Sequence, residues 1–147
     1  MKLCILGGGL TGLSLAKSLV KKGLSIDIFL NKKKSDFNRS RTIGISNDNL
    51  MYFNKEILDI KKLSWDIKKI EIYSDNLRNE KILNFENNNK TVFAIIRNYQ
   101  LQSKLLKSLK KDKLCKFKQN FDFNLSNLKK YKLIINCENG NYFTKKF

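Results

Sequence analysis

Gly7-Gly8-Gly9-Leu10-Thr11-Gly12 is the stretch of this sequence whose residue types and spacing ask most plainly for a particular chemistry. It has the pattern G-x-G-x-x-G. A glycine at the first position permits a tight turn out of a strand. One at the third lets a pyrophosphate come against the backbone, and one at the sixth lets a helix pack close to a sheet. The amides at the start of the following helix, with the helix dipole, favour the diphosphate's negative charge. Gly7, Gly8, Gly9, Leu10, Thr11 and Gly12 are therefore candidate cofactor-binding residues. Such a site usually has an Asp or Glu at the end of the second strand to hydrogen-bond a ribose hydroxyl. Here that place is held by Leu30, followed by Asn31, which can still hydrogen-bond a ribose without charge. Asp27 lies earlier in the strand and is the less natural candidate.

The pattern carries weight only if a strand precedes it and a helix follows. Residues 2–6, KLCIL, are a short apolar β run. Leu10, Leu13, Leu15, Ala16, Leu19 and Val20 then recur with a helical period to Lys22, and Gly23 stands where a helix-ending glycine would. Ser25 to Leu30, SIDIFL, reads as a second buried strand, completing a βαβ unit within about thirty residues. Further on, residues 31–42 read as a basic loop. A helix is expected from Asn47 to Leu58, capped by Ser46 or Asn47. Strands are expected over Ile67–Tyr73, Ile82–Phe85, Thr91–Ile96, 114–118, 121–125 and Leu133–Cys137. Leu101, Leu105, Leu106 and Leu109 share one face of a helix over Tyr99–Lys110. No internal repeat or domain linker stands out. The expected fold class is α/β: a Rossmann-like nucleotide-binding βαβ sheet with part of an antiparallel β substrate domain. The nucleotide-binding part is drawn over 1–66 and 97–147, the β segment over 67–96.

Composition narrows the chemistry. With 147 residues, 41% hydrophobic and ten Phe, the chain has the apolar mass for one ordinary folded domain. There is no histidine, which excludes His-based triads, His-ligated metals and a His general base, and no proline. No metal site is expected. The net charge of +17 would ordinarily suggest nucleic acid. Only Arg39, Arg41, Arg78 and Arg97 are arginines, however, and the lysines are scattered from Lys2 to Lys146. Arginine is the residue preferred for base-edge and bidentate phosphate contacts, so no nucleic-acid partner is expected. Cys4, Cys115 and Cys137 form no C-x-x-C pair and lie in apolar stretches, as buried thiols of a reducing, cytoplasmic compartment would. The N-terminal apolar run is too short and too glycine-broken to span a bilayer.

Residues 2–29 resemble the N-terminus of FAD-dependent aromatic-ring hydroxylases, most closely the ubiquinone-biosynthesis hydroxylases that act on polyprenylated phenols. Three later segments resemble that family in the same order. Arg41-Thr42-Ile43-Gly44-Ile45-Ser46 is similar to its R-x-x-A-L-S segment, whose arginine approaches the FAD. Arg97-Asn98-Tyr99-Gln100-Leu101-Gln102-Ser103-Lys104-Leu105 is similar to the N-x-x-L-Q-x-x-L helix start, whose Gln lies along the ribityl chain. Cys137-Glu138-Asn139-Gly140-Asn141-Tyr142 falls where the family has A-D-G-x-x-S, with Glu138 for Asp and Asn139 for Gly. By resemblance, Arg41 and Gln102 join the candidate cofactor-binding residues. A further family signature, G-D-A-x-H, would fall beyond residue 147, so the chain is expected to correspond to an N-terminal portion.

The resemblance implies FAD as cofactor, NAD(P)H as reductant, and O2-dependent hydroxylation of a phenol ring in intact members. The cofactor carries that chemistry while the protein orients and excludes water, so no catalytic side chain is nominated here. The function expected is the FAD-binding N-terminal part of a flavin-dependent monooxygenase. Its partner would be a separately encoded C-terminal half or a second copy, with peripheral contact to the inner face of the cell membrane as a further expectation. A small NAD-type Rossmann module and a non-catalytic remnant are the alternatives. Trp65, the lone tryptophan, is expected in a core or an interface.

Overall fold

A computed structural model describes residues 2–30, 39–75, 78, 80–88, 90–119 and 129–138. In chain order they form β1 (Lys2–Leu6), α1 (Leu10–Lys21), β2 (Ser25–Leu30), β3 (Thr42–Ser46), α2 (Asn47–Tyr52), a π-helical turn (Phe53–Ile57) and a 3-10 turn (Lys61–Leu63). There follow β4 (Ser64–Ile67), β5 (Lys69–Tyr73), β6 (Lys81–Glu86), β7 (Phe93–Arg97), α3 (Asn98–Lys110), β8 (Cys115–Gln119) and β9 (Leu133–Asn136). The chain divides into two compact units, residues 1–38 with 101–147, and residues 39–100. The α/β class expected from the sequence is the one observed.

The first unit is built on a parallel sheet in the order β8-β2-β1-β9. Parallel strands are covered on both faces and so read as continuous apolar runs, which is what KLCIL and SIDIFL are. Leu3, Ile5, Ile26 and Ile28 share one face by the β alternation and the register, and α1 packs on β1 and β2 with Leu13, Ala16 and Val20 buried. The buried stripe of α3 is Leu101, Leu105 and Leu109; Leu106, expected on the same face, is only half-buried. Cys4 and Leu6 pack on the other face with Tyr131, Phe29 and Ile134. At Gly23 (φ +78) α1 ends in a Schellman arrangement. The Gly23 amide donates to Val20 O at 2.9 Å and the Leu24 amide to Leu19 O at 3.2 Å.

The second unit holds an antiparallel sheet in the order β3-β7-β4. Ala94 and Ile96 of β7 are buried, as are Leu50, Ile57 and Ile60 from the segment between β3 and β4. Ser46 caps α2, its hydroxyl accepting from the Asn49 amide at 3.4 Å. The expected helix to Leu58 is α-helical only to Tyr52. Its last turn widens, with Leu58 N donating to Phe53 O at 2.9 Å. Asn54 Oδ1 accepts from the Ile60 amide at 2.7 Å and ties down the exit. The strand expected over Ile67–Tyr73 is observed as β5 from Lys69 on, while Ile67 ends β4 in a different sheet, with the break at Lys68. Two strands were not anticipated: β3, which follows the basic loop directly, and β4. Trp65 on β4 is 51% exposed with the Arg97 guanidinium 5.1 Å from its ring centre, so it is not a core residue.

β5 and β6 form a separate two-stranded hairpin. Its register sets Ile70 opposite Phe85 and Ile72 opposite Leu83 on one face, while Lys69, Glu71, Glu86 and Asn84 occupy the other. On the polar face Glu71 receives Lys69 at 3.0 Å, Lys81, and the Tyr73 hydroxyl at 3.1 Å. The hydrogen bond from Lys81, with that from Lys69, pulls the Glu71 carboxyl down to about 2. The apolar face stays open to solvent, with Ile72, Leu83 and Phe85 all exposed.

Candidate functional site

In an open parallel sheet, ligands bind outside the carboxyl ends of the strands, where strand order reverses. Here that point is β1, which has β2 on one side and β9 on the other. The glycine turn occupies this position. Gly7 has φ +110, a conformation open to glycine, and a Cβ there would stand 2.9 Å from Cys137 O at the exit of β9. Gly12 lies so close to the turn that a Cβ would meet Gly7 O at 2.3 Å. These two glycines therefore serve close packing, one between turn and β9, the other between α1 and turn.

Gly9 differs from both. Its φ is −74°, which any residue can adopt, and a Cβ there would meet nothing within 4 Å among the described residues. The surrounding described residues do not require a glycine here. Gly9 is also the N-cap of α1, whose start has no side-chain cap and no acidic residue in its first turn. The positive end of a twelve-residue helix is thus left for an outside anion, next to the open space at Gly9. The uncapped amides and the dipole of α1 suit the negative charge of a diphosphate.

Gln102 reaches the same place from α3. Its Nε2 donates to Gly8 O at 2.9 Å, across 94 positions of sequence. The structure therefore brings together Gly7, Gly8, Gly9, Leu10, Thr11, Gly12 and Gln102 in one unit. Arg41 belongs to the second unit, exposed at the entrance of β3, where its carbonyl accepts from the Asn98 amide at 3.0 Å. Asn31 lies outside the described residues, as do Asn139 and Gly140 and the strand expected over 121–125.

No family model matches the chain, and no curated protein matches it. Solved structures do. Over 80% of this chain, p-nitrophenol 4-monooxygenase PnpA from Pseudomonas putida superposes with a TM-score of 0.64 at 16% identity. PqsL from Pseudomonas aeruginosa, a probable FAD-dependent monooxygenase, covers 81% with a TM-score of 0.64 at 13% identity. 2,6-Dihydroxypyridine-3-hydroxylase from Arthrobacter nicotinovorans covers 79% with a TM-score of 0.55 at 15% identity. The chain shares their fold. It spans 31%, 32% and 28% of those chains, under a third of each.

Asp27, the less natural ribose candidate, is committed elsewhere. It is fully buried, and its Oδ2 is held by Lys118 Nζ at 2.6 Å, the Tyr131 hydroxyl at 2.7 Å and Lys2 Nζ at 3.0 Å. Burial pushes the carboxyl up, but the hydrogen bonds from Lys118, Tyr131 and Lys2 outweigh it and hold it below the ordinary range. Burial and the Asp27 hydrogen bond push the Tyr131 phenol up to about 12. One carboxylate thus joins β1, β2, β8 and the approach to β9 on one face of the sheet. The sequence signal was an acid in the middle of an apolar strand, which demands partners when buried. Burial also pushes the Cys4 and Cys115 thiols up to about 12 and about 11, leaving them protonated and unreactive. Among the described residues no cluster could hold a metal ion, and no helix is long and apolar enough to cross a membrane.

Proposed function

We propose that this chain binds FAD, with the diphosphate against Gly8, Gly9, Leu10, Thr11 and Gly12, as the nucleotide-binding part of a flavin-dependent monooxygenase. The observation that carries the reading is the empty volume at Gly9 beside the uncapped start of α1 at the strand-order switch point. Gly7 and Gly12 hold the turn in shape, and the α1 amides supply the anion's donors. Asn31 is proposed to hydrogen-bond the adenosine ribose, and Arg41 to approach the cofactor. When bound, FAD would supply the redox chemistry, taking reducing equivalents from NAD(P)H and reacting with O2. No side chain described here is assigned a proton to move; the protein's part is to bind, orient and keep water out.

Hydroxylation of a polyprenylated phenol, as in ubiquinone biosynthesis, is the substrate reading supported by the resemblance of residues 2–29, 41–46 and 97–105. Turnover would use further polypeptide for the substrate side, from a separately encoded half or a second copy. The lysine-rich surface suits peripheral contact with an anionic membrane, where such a substrate resides.

Titrating the purified chain in parallel with FAD, FMN and NAD+ tests the reading. FAD is expected to saturate in the micromolar range, with FMN at least tenfold weaker because it lacks the diphosphate and adenosine. NAD+ binding as tightly as FAD would replace the flavin reading with a small NAD-type module.

A further inference from the structure

We propose that Gln102 is a positioning residue that latches the glycine turn into its anion-binding shape before any cofactor arrives. The inference rests on the FAD reading above and adds to it a residue that acts through the turn. Gly8 and Gly9 are joined by a trans peptide, since no cis bond occurs among the described residues. In a trans peptide the carbonyl and the following N–H point in opposite directions from one rigid plane. Gln102 Nε2 holds the Gly8 carbonyl at 2.9 Å on the α3 side. The Gly9 N–H is thereby aimed to the opposite side of the turn.

Among the described residues, no other hydrogen bond reaches this peptide. Gly8 and Gly9 have no side chains to restrict rotation, and glycine loses more conformational freedom on ordering than any other residue. The neighbouring groups fix only the ends of the turn: the Gly7 amide donates to Phe29 O at 3.0 Å, and Gly9 O accepts from the Leu13 amide at 3.0 Å. Between these anchors the Gly8–Gly9 plane could turn over and present a carbonyl oxygen to the incoming phosphate. A hydrogen bond from a half-buried amide on α3, itself fixed by the buried Leu101 and Leu105, excludes that flip. Binding then does not have to order the turn.

The test uses Gln102→Leu, which keeps size and helix propensity but removes the donor, and Gln102→Glu, which puts a carboxylate against the carbonyl. Backbone 15N relaxation at Gly8, Gly9 and Leu10 is measured in the ligand-free proteins, beside FAD affinity and thermal midpoint. The Gly9 order parameter is expected to fall from the rigid range, about 0.85, to below about 0.6 in Gln102→Leu. FAD should bind about tenfold more weakly, the effect of losing one hydrogen bond's worth of ordering, with the thermal midpoint nearly unchanged. For Gln102→Glu the affinity loss relative to the parent chain should shrink as pH falls from 7 to 5, because a protonated carboxyl can donate again. An unchanged Gly9 order parameter in Gln102→Leu overturns the latch. So does FAD affinity that stays unchanged, or that falls only in step with the thermal midpoint. Should the parent chain bind no FAD, the functional reading fails, while the relaxation comparison still decides whether the latch exists.

Discussion

At the scale of single residues, glycines that look alike in the sequence carry different duties. Gly12→Ala drives a methyl into the Gly7 carbonyl, and backbone on both sides must yield. We expect a loss of about 1–3 kcal/mol in urea unfolding, the ordinary cost of overpacking. A Cβ at Gly9 meets no atom among the described residues, so its cost is that of a poorer N-cap, at most about 1 kcal/mol. The G-x-G-x-x-G spacing marked the turn but did not rank its members; only their surroundings do. Asp27 makes a second residue-scale prediction. Its folded carboxyl titrates below the unfolded one, so its contribution is present above about pH 4 and is lost as pH falls through the folded value. Tyr131 is raised to about 12, so its contribution persists below about pH 10 and fades between there and 12. Asp27→Ala should cost about 1–3 kcal/mol at pH 7, the range for losing hydrogen bonds to a charged group, and less at pH 3. Urea midpoints across pH check this, and equal costs at both pH values would contradict it.

Elements explain what was legible in the sequence and what was not. β1, α1 and β2 were readable because each is locally self-consistent: continuous apolar runs for buried parallel strands, a helical stripe, and Gly23 at the stop. The Leu101, Leu105 and Leu109 stripe of α3 was readable for the same reason. β3 was hidden because TIGIS is short and half-polar and gains its strand state from β7, fifty residues away. The break at Lys68 was hidden because Ile67, Ile70 and Ile72 keep an apparent apolar rhythm across two sheets. The latch between Gln102 and Gly8 is a contact between distant elements, which no local pattern encodes. The same contrast in burial gives a stability prediction for the second unit. Ile96→Ala removes a fully buried side chain of β7 and should cost about 2–5 kcal/mol. Leu83→Thr lies on the open face of the hairpin, where it keeps strand propensity and should change stability by less than about 0.5 kcal/mol. Thermal midpoints of the two variants separate these cases.

For the whole molecule, charge is distributed as unevenly as function. Residues 39–100 carry 11 basic and 8 acidic side chains, whereas residues 1–38 and 101–147 together carry 19 and 5. The unit holding the glycine turn is therefore the strongly positive one, and it should draw an anionic dinucleotide by its general field as well as by local donors. FAD affinity is expected to weaken severalfold between 50 mM and 500 mM NaCl, most of the loss coming from screening of distant lysines. A salt-independent affinity would leave only the contacts at the turn itself. The fold is shared with monooxygenases over four-fifths of this chain and under a third of theirs.

The most direct measurement is a flavin-fluorescence titration of the chain and of Gly9→Val, with both shown to melt at similar temperatures. The account predicts saturable micromolar FAD binding by the parent chain and at least a hundredfold loss in Gly9→Val, because valine fills the space kept for the diphosphate without disturbing the fold. Equal affinity in the two folded proteins, or no binding by the parent chain up to millimolar FAD, would contradict it.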